Sequence, residues 1–282
     1  MKHANLHLHS TFSDAELTPR QLVRIGKSLG YRALALTDHE TDGGCKEFIY
    51  HARKEGLNAI SGIEFYGYQE GTKLHLTALD FDMDDPGLRA FVKLRCDLRN
   101  ECTRKCIERG IELGYVQGFT WDDILEYAPE GYWICINTVM EVMKFKKLVP
   151  YDYDWTDFRM KIFNAPEAKA FRPAPPTAEE VIKIVRQAGG VIALAHPNEI
   201  WLSYLDKLVD YGLNGIEISH PNIQPHIPYL ASEAADKYNL YRCGGTDHDG
   251  AMSGNGGNRA QPVLSGITEE EYTTLIERRL GR

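Results

Sequence analysis

Apolar residues recur along this chain in two rhythms. Short runs rich in β-formers occupy residues 4–9, 33–37, 58–64, 74–79, 191–195, 215–219 and 240–244, and their length and composition predict strands. Helical spacing fills the gaps between them. Residues 18–29 open on a Thr18-Pro19 cap and stop at Gly30, while residues 177–187 open on the capping box Thr177-x-x-Glu180 and stop at Gly189-Gly190. Strand, helix, strand is the rhythm of a parallel sheet or barrel. The rhythm breaks between residues 84 and 176, where charge-rich helices over 87–113 and 121–128 lead into the aromatic stretch Tyr151-Asp152-Tyr153-Asp154-Trp155. The Pro-rich Arg172-Pro173-Ala174-Pro175-Pro176 marks the return of the chain to the main fold. The pattern predicts an α/β barrel domain built from residues 1–85 and 174–282, interrupted by a smaller, mainly helical domain over 86–173.

Composition narrows the partners. Forty acidic residues against 32 basic ones give the 282-residue chain a net charge of −8, which disfavours long nucleic acid as a partner. With 43% apolar residues there is enough core for a large domain, yet no run approaches the ~18 apolar residues of a membrane span. The opening MKHANLHLHS lacks the apolar stretch of a signal peptide, so the expected address is cytoplasmic. Six cysteines (Cys45, Cys96, Cys102, Cys106, Cys135, Cys243) are scattered without a CxxC pair and read as reduced thiols. Cys102 and Cys106 lie four apart on a predicted helix, but no second pair completes a metal site.

The histidines carry the chemistry. His7 and His9, two apart in the first strand, project from one face, with Leu6 and Leu8 on the other. Asp14 follows in the loop. The second strand ends in Thr37-Asp38-His39, the third in Glu64, the fourth carries His75, the fifth ends in His196-Pro197, and the last in Thr246-Asp247-His248-Asp249. Nearly every predicted strand thus delivers an imidazole or carboxylate near its C-terminal end, where barrel enzymes build their sites. Nitrogen and oxygen donors without thiolate favour manganese, iron or zinc. Such a set exceeds the four to six ligands of one ion, and a carboxylate shared between two cations would offset their repulsion, a part for which Glu64 is the candidate.

These residues carry a resemblance. His7-Leu8-His9-Ser10 with Ser13-Asp14, Leu36-Thr37-Asp38-His39, Gly62-Ile63-Glu64, Leu74-His75, Ala195-His196-Pro197 and Gly245-Thr246-Asp247 are similar to the ordered motifs of the PHP (polymerase and histidinol phosphatase) family of metal-dependent phosphoesterases. Within that family the chain most resembles stand-alone small-molecule enzymes with a helical insert. The resemblance implies a distorted (β/α)7 barrel and two or three divalent metal ions, most commonly manganese, with iron or zinc as alternatives. Carried over motif by motif, His7, His9, Glu64 and Asp247 hold a first ion, Glu64, His75 and His196 a second, and Asp14 and His39 begin a third. The last motif departs from its relatives: where they read Asp-x-His, this chain reads Asp247-His248-Asp249, leaving either Asp249 or His248 for the third ion.

The implied activity is hydrolysis of a small phosphate ester, a sugar phosphate or cyclic phosphodiester, by a metal-bound hydroxide, releasing phosphate. A nucleotide phosphatase directed at 3′,5′-bisphosphates or short oligonucleotides is the alternative, and a degenerate metal-binding module without activity is the alternative of another class. Nucleotide-directed relatives place an arginine in the insert where this chain has Ile136, within Ile134-Cys135-Ile136-Asn137-Thr138. Loss of that bidentate clamp points to a smaller phosphorylated ligand. Lys169 and Arg172, just before the return to the barrel, and Arg259, in a Gly-rich loop with Asn255, are the remaining candidates to hold substrate. Glu64, Asp247 and His220 are the candidate catalytic residues, His220 as donor to the leaving oxygen; Asp38 is expected to orient an imidazole.

Overall fold

The computed structural model describes residues 2–128, 131–248 and 265–278. The first half of the chain builds β1 (Ala4–Asn5), α1 (Pro19–Ser28), β2 (Ala33–Ala35), α2 (Cys45–Lys54) and β3 (Asn58–Ile60), and the three strands pair in parallel in that order. Next come β4 (Gly62–Gln69) and β5 (Thr72–Leu79), which form an antiparallel hairpin. The middle of the chain is helical: α3 (Pro86–Glu112), α4 (Trp121–Tyr127), α5 (Ile136–Phe145), α6 (Thr156–Ile162) and α7 (Pro166–Lys169). After α8 (Ala178–Gln187) the chain resumes alternation with β6 (Val191–Leu194), α9 (Glu199–Leu202), α10 (Leu205–Asp210), β7 (Gly215–Ser219), α11 (Ile227–Tyr238), β8 (Tyr241–Gly244) and α12 (Glu269–Glu277).

The result is a mixed α/β fold with sheets of three and five strands, the second ordered β4-β5-β6-β7-β8. Two single bridges join the sheets, His39 to Glu64 and Leu8 to His248, both at the ends of strands that carry histidines. The sequence pattern predicts one strand over 58–64; the structure breaks it at Ser61, whose carbonyl turns to accept from Asp80 N and whose hydroxyl donates to Phe81 O. It also corrects the expectation of a wholly parallel sheet. Glu70 and Gly71, both at positive φ (51° and 78°), close a two-residue turn between Gln69 and Thr72, and a connection that short permits only an antiparallel pair.

Local sequence explains the elements. Thr18 and Thr177 cap α1 and α8 with the reciprocal bonds of capping boxes, to Gln21 and Glu180. The buried face of α8, Ala178, Val181, Ile182 and Val185, has the spacing of one helical stripe and packs on Ile63, Phe65, Leu76 and Ile192 in the largest core cluster. β6, Val191–Leu194, is buried throughout, as its unbroken apolar run requires. Along α3 a single stripe serves two partners. Leu88 and Val92 join the core around α8, whereas Cys106 and Ile107 join a separate cluster with Val139, Met143, Phe158 and Ile162 from α5 and α6. Gly245 lets the end of β8 pass the first strand: a Cβ there would lie 2.3 Å from His7 N. Among the described residues no helix is long and apolar enough to cross a membrane.

Candidate metal centre

β1 ends at Asn5 instead of running to residue 9 as the sequence pattern predicts, and the extended segment after it brings His7 and His9 to one place while Leu6 and Leu8 pack away from them, in the clusters under β2 and α1. Both imidazoles are buried, at 0% and 1% exposure. His7 Nδ1 donates to Glu217 Oε1 at 2.7 Å, which turns its Nε2 inward. There it meets His9 Nε2 at 3.2 Å, Glu64 Oε2 at 3.4 Å and Asp247 Oδ1 at 3.6 Å. His9 Nε2 lies 3.3 Å from Glu64 Oε2 and 3.0 Å from Asp247 Oδ1. Glu64 turns its other oxygen the opposite way, with Oε1 2.8 Å from His75 Nδ1 and 3.1 Å from His196 Nε2. A third set joins His9 Nδ1, Asp14 and His39: Asp14 Oδ1 is 3.9 Å from His9 Nδ1 and Asp14 Oδ2 is 3.7 Å from His39 Nε2.

Two of these residues sit on strained backbone. His196 and Asp247 have φ of 27° and 49°, a left-handed region that costs a non-glycine residue roughly 1–3 kcal/mol. The structure holds both in place: His196 N donates to Glu217 Oε2 at 2.7 Å, and Asp247 N donates to His7 O at 2.9 Å.

Electrostatics ties the donors together. Burial pulls the His7 pKa down, but Glu217, Glu64 and Asp247 overrule it and raise it to about 10. Burial would raise Glu64 and Asp247, yet the imidazoles around them hold both carboxyls well below the usual carboxylate range. His39 and His75 go the other way, lowered by burial that Glu64 offsets only in part. The carboxylates are therefore ionised.

The donor set fits divalent cations. Donors that share one small cation at about 2.0–2.2 Å lie roughly 3 Å apart or a little more, and the spacings of 3.0 to 3.6 Å among His7, His9, Glu64 and Asp247 are of that order. Among the described residues His9 Nδ1 is buried without a hydrogen-bond partner, a costly state for a polar atom unless a cation takes the lone pair, while His39 Nδ1 lies 3.1 Å from Glu64 Oε2.

Above these donors opens a pocket of about 400 Å3. Trp133, Ile136, Asn137, Trp155 and Arg159 enter it from the helical segment, and Tyr66 and Lys73 from the β4-β5 hairpin. Lys169 and Arg172, the cations expected from sequence, are not among its walls. Lys169 ends α7 and is exposed, and Arg172 turns back to Asn164 Oδ1 at 3.2 Å. His220 does reach the pocket, with Nε2 3.3 Å from Asp247 Oδ2. The His248 carbonyl accepts from His9 N, but its ring belongs to none of the donor groups. Asp249, Asn255 and Arg259 lie outside the described residues. Asp38 does not orient an imidazole as expected: its oxygens accept from Ser10 N, Ser10 Oγ and Ser13 Oγ at 2.6 to 2.7 Å, which fixes the loop that presents Asp14.

Sequence reasoning missed Glu217, the carboxylate on β7 that positions both His7 and His196. Its signal is a lone acid between Ile216 and Ile218 in an otherwise apolar strand. Replacement by glutamine would set an amide NH2 against either His7 Nδ1–H or His196 N–H. Metal affinity or activity is expected to fall about 10- to 100-fold; metal titration and kcat of E217Q check this, and wild-type values for both would show that the carboxylate charge is immaterial.

The α/β fold and its nitrogen-and-oxygen donor set define the class: a metal-dependent phosphoric ester hydrolase. The PHP domain pattern matches residues 5–149, and the chain belongs to that family. It is similar to the phosphoribosyl 1,2-cyclic phosphate 1,2-diphosphodiesterase of Eggerthella lenta, 26% identical over 265 residues that span 87% of this chain and 94% of that protein. The 5′-3′ exoribonuclease Rnm of Salmonella typhimurium is 26% identical over 251 residues, 86% of this chain and 84% of that one. The 3′,5′-nucleoside bisphosphate phosphatase of Chromobacterium violaceum is 23% identical, covering 88% and 87%. A solved structure from Bifidobacterium adolescentis shares the fold, with a TM-score of 0.79 at 24% identity over 100% of this chain and 99% of that one.

Proposed function

We propose that this enzyme hydrolyses a small phosphorylated metabolite, a sugar phosphate or cyclic phosphodiester, and releases phosphate. The observation that carries the reading is Glu64, whose two oxygens face separate groups of imidazoles beneath the pocket. His7, His9, Glu64 and Asp247 would hold one ion, Glu64, His75 and His196 a second, and His9, Asp14 and His39 a third, with manganese, iron or zinc fitting the donors. Bound there, divalent ions lower the pKa of water and neutralise phosphoryl oxygens. Glu64 and Asp247 would supply negative charge to offset the repulsion between ions held there. Backbone Asn222 N donates to His220 Nδ1 at 3.1 Å, so Nε2 carries the ring proton and can donate to a leaving oxygen at the pocket wall. In this reading residues 86–173 form an inserted domain that roofs the site, the two sheets close as a PHP-type barrel, and the address is cytoplasmic.

A nucleotide substrate is the second reading, favoured by the indole walls Trp133 and Trp155, on which a base can stack. Ile136 favours the first, because it puts an apolar side chain in the pocket at the position where the sequence resemblance implies an arginine in nucleotide-directed enzymes. The net charge of −8 speaks against long RNA. A phosphate-release screen of mono-, bis- and cyclic esters with manganese-loaded enzyme decides between them. A cyclic ribose phosphate is expected to exceed a nucleotide 3′,5′-bisphosphate in kcat/KM. A preference of about a hundredfold for the bisphosphate, near the upper worth of one charge-assisted hydrogen bond, would move the assignment to nucleotides, and silence on every ester would sink both readings.

A further inference from the structure

Cys102 and Cys106 take no part in the metal centre. They stand one helical turn apart on α3, so their side chains share a face of that helix. Cys106 is 2% exposed in the cluster built on α5 and α6, and Cys102 packs against the same cluster. Of the six cysteines, all free, Cys102 alone is not buried. Burial pushes the Cys45, Cys96, Cys135 and Cys243 thiols up, away from reactivity. Cys102 goes the other way: the Cys106 thiol donates to it and Arg99 and Arg172 add positive charge, which together outweigh burial and hold it below the usual thiol range.

Helical geometry sets what the pair can do. Four residues of α-helix separate two Cα atoms by roughly 6.2 Å, inside the span of about 4.4–6.8 Å that a disulfide bridges. The Cβ atoms of such a pair stand about 5–6 Å apart, farther than the roughly 3.5–4.5 Å of a relaxed bridge, so closing it tightens this turn of α3. A bridge under that strain is of the readily reduced kind. The same turn also carries neighbouring chain. Asn100 Oδ1 accepts from Ile134 N at 2.8 Å, Asn100 Nδ2 donates to Tyr132 O at 3.0 Å, and Thr103 Oγ1 donates to Ile134 O at 2.8 Å. These bonds hold the segment whose Trp133 and Ile136 wall the pocket above the metal donors.

We infer that Cys102 and Cys106 form a reversible oxidation site, at which hydrogen peroxide joins them as a disulfide and the tightened turn shifts the pocket wall at Trp133. The Cys102 thiolate attacks one peroxide oxygen. The O–O bond breaks, Cys102 becomes a sulfenic acid, and the departing hydroxide takes up the proton that this thiol released on ionising. The Cys106 sulfur then attacks the Cys102 sulfur, the S–O bond breaks, and the second hydroxide leaves with the Cys106 proton as water. Two thiols give up two electrons, one peroxide accepts them, and two waters form. The oxidation site stands apart from the phosphoester reading, and only its effect on turnover rests on it.

The test treats the manganese-loaded full chain, freed of reductant, with hydrogen peroxide. Intact mass should fall by two hydrogens. Trypsin cuts after Arg99, Arg104, Lys105 and Arg109, so the two cysteines leave in separate peptides. In an unreduced digest those peptides should be joined, and dithiothreitol should part them. Cys106→Ser should stop at a sulfenic acid on Cys102 that dimedone captures, and Cys102→Ser should form no bridge. KM of the bridged enzyme for the ester it accepts is expected to rise about 2- to 10-fold, the worth of one hydrogen bond, and to return on reduction, while Cys106→Ser shows neither change. Joined peptides with an unaltered KM would overturn the link to the pocket wall. Peptides that stay separate, or a bridge from Cys102 to Cys96 instead, would overturn the site itself. A protein that forms the bridge but cleaves no ester would leave the oxidation site standing and remove the phosphoester reading.

Discussion

Glu64→Gln is expected to strip the enzyme of metal and of turnover together. Glu64 is 1% exposed, and its oxygens serve opposite sides: Oε2 faces His7 and His9, Oε1 faces His75 and His196. An amide of the same shape removes one negative charge and points a donor, rather than a lone pair, at one of the two sides. Either orientation leaves imidazoles converging on a group that repels a cation. The expected loss in kcat/KM is at least about a thousandfold, or roughly 4 kcal/mol of transition-state stabilisation, accompanied by loss of ions in elemental analysis. A purely catalytic carboxylate would lose turnover and keep its metal. Normal metal content with normal turnover would show that a different carboxylate is shared.

The second large effect is on metal content and heat stability. Protein purified without chelator and supplemented with manganese should carry at least two divalent ions per chain, because the donor groups around Glu64 draw on six side chains, His7, His9, Glu64, His75, His196 and Asp247. One ion or none after supplementation would refute the shared centre. Cations bind the folded donor set and not the dispersed chain, so removing them lowers stability by mass action. At a hundredfold excess over Kd each site contributes about 2.7 kcal/mol, or roughly 5–10 °C in Tm for a chain of this size. Calorimetry with and without chelator reads this directly; equal melting temperatures would mean that the buried carboxylates and imidazoles stabilise one another adequately by themselves.

Much of this site was legible in the sequence because strand periodicity and chemistry coincide there. His7 and His9 alternate with leucines, and His39, Glu64, His196 and Asp247 each follow an apolar run, so their positions could be read from local pattern alone. The role of Glu217 was not legible: a lone acid between Ile216 and Ile218 marks the position, but only the tertiary approach of His7 and His196 shows that it positions imidazoles. The extension of β4 to Gln69 was hidden for a related reason: Tyr66-Gly67-Tyr68 has no clean alternation, and only pairing with β5 makes it a strand. The pocket walls were the least accessible to sequence reasoning. Trp133, Trp155 and Arg159 lie in irregular helical segments far along the chain from the histidines, so their approach to the site depends on tertiary packing. Lys169 and Arg172 had suggested themselves through charge and nearness to the return point, but Arg172 has local acceptors in Phe163 O and Asn164 Oδ1.

His7 and Asp247 meet in the same donor group although 239 residues separate them in the chain, and Asp247 N is hydrogen-bonded to His7 O. A ribosome delivers these partners far apart in time. At about 5–20 residues per second, the earliest histidines wait on the order of 10 to 50 seconds for the aspartate that completes their set, and longer still for it to clear the exit tunnel. Until then the nascent chain can present His7, His9 and Glu64 but not the finished four-donor group. Full loading of that group therefore waits until the chain has been made past Asp247, and a truncated chain ending before β8 would lack it however well its earlier strands had folded.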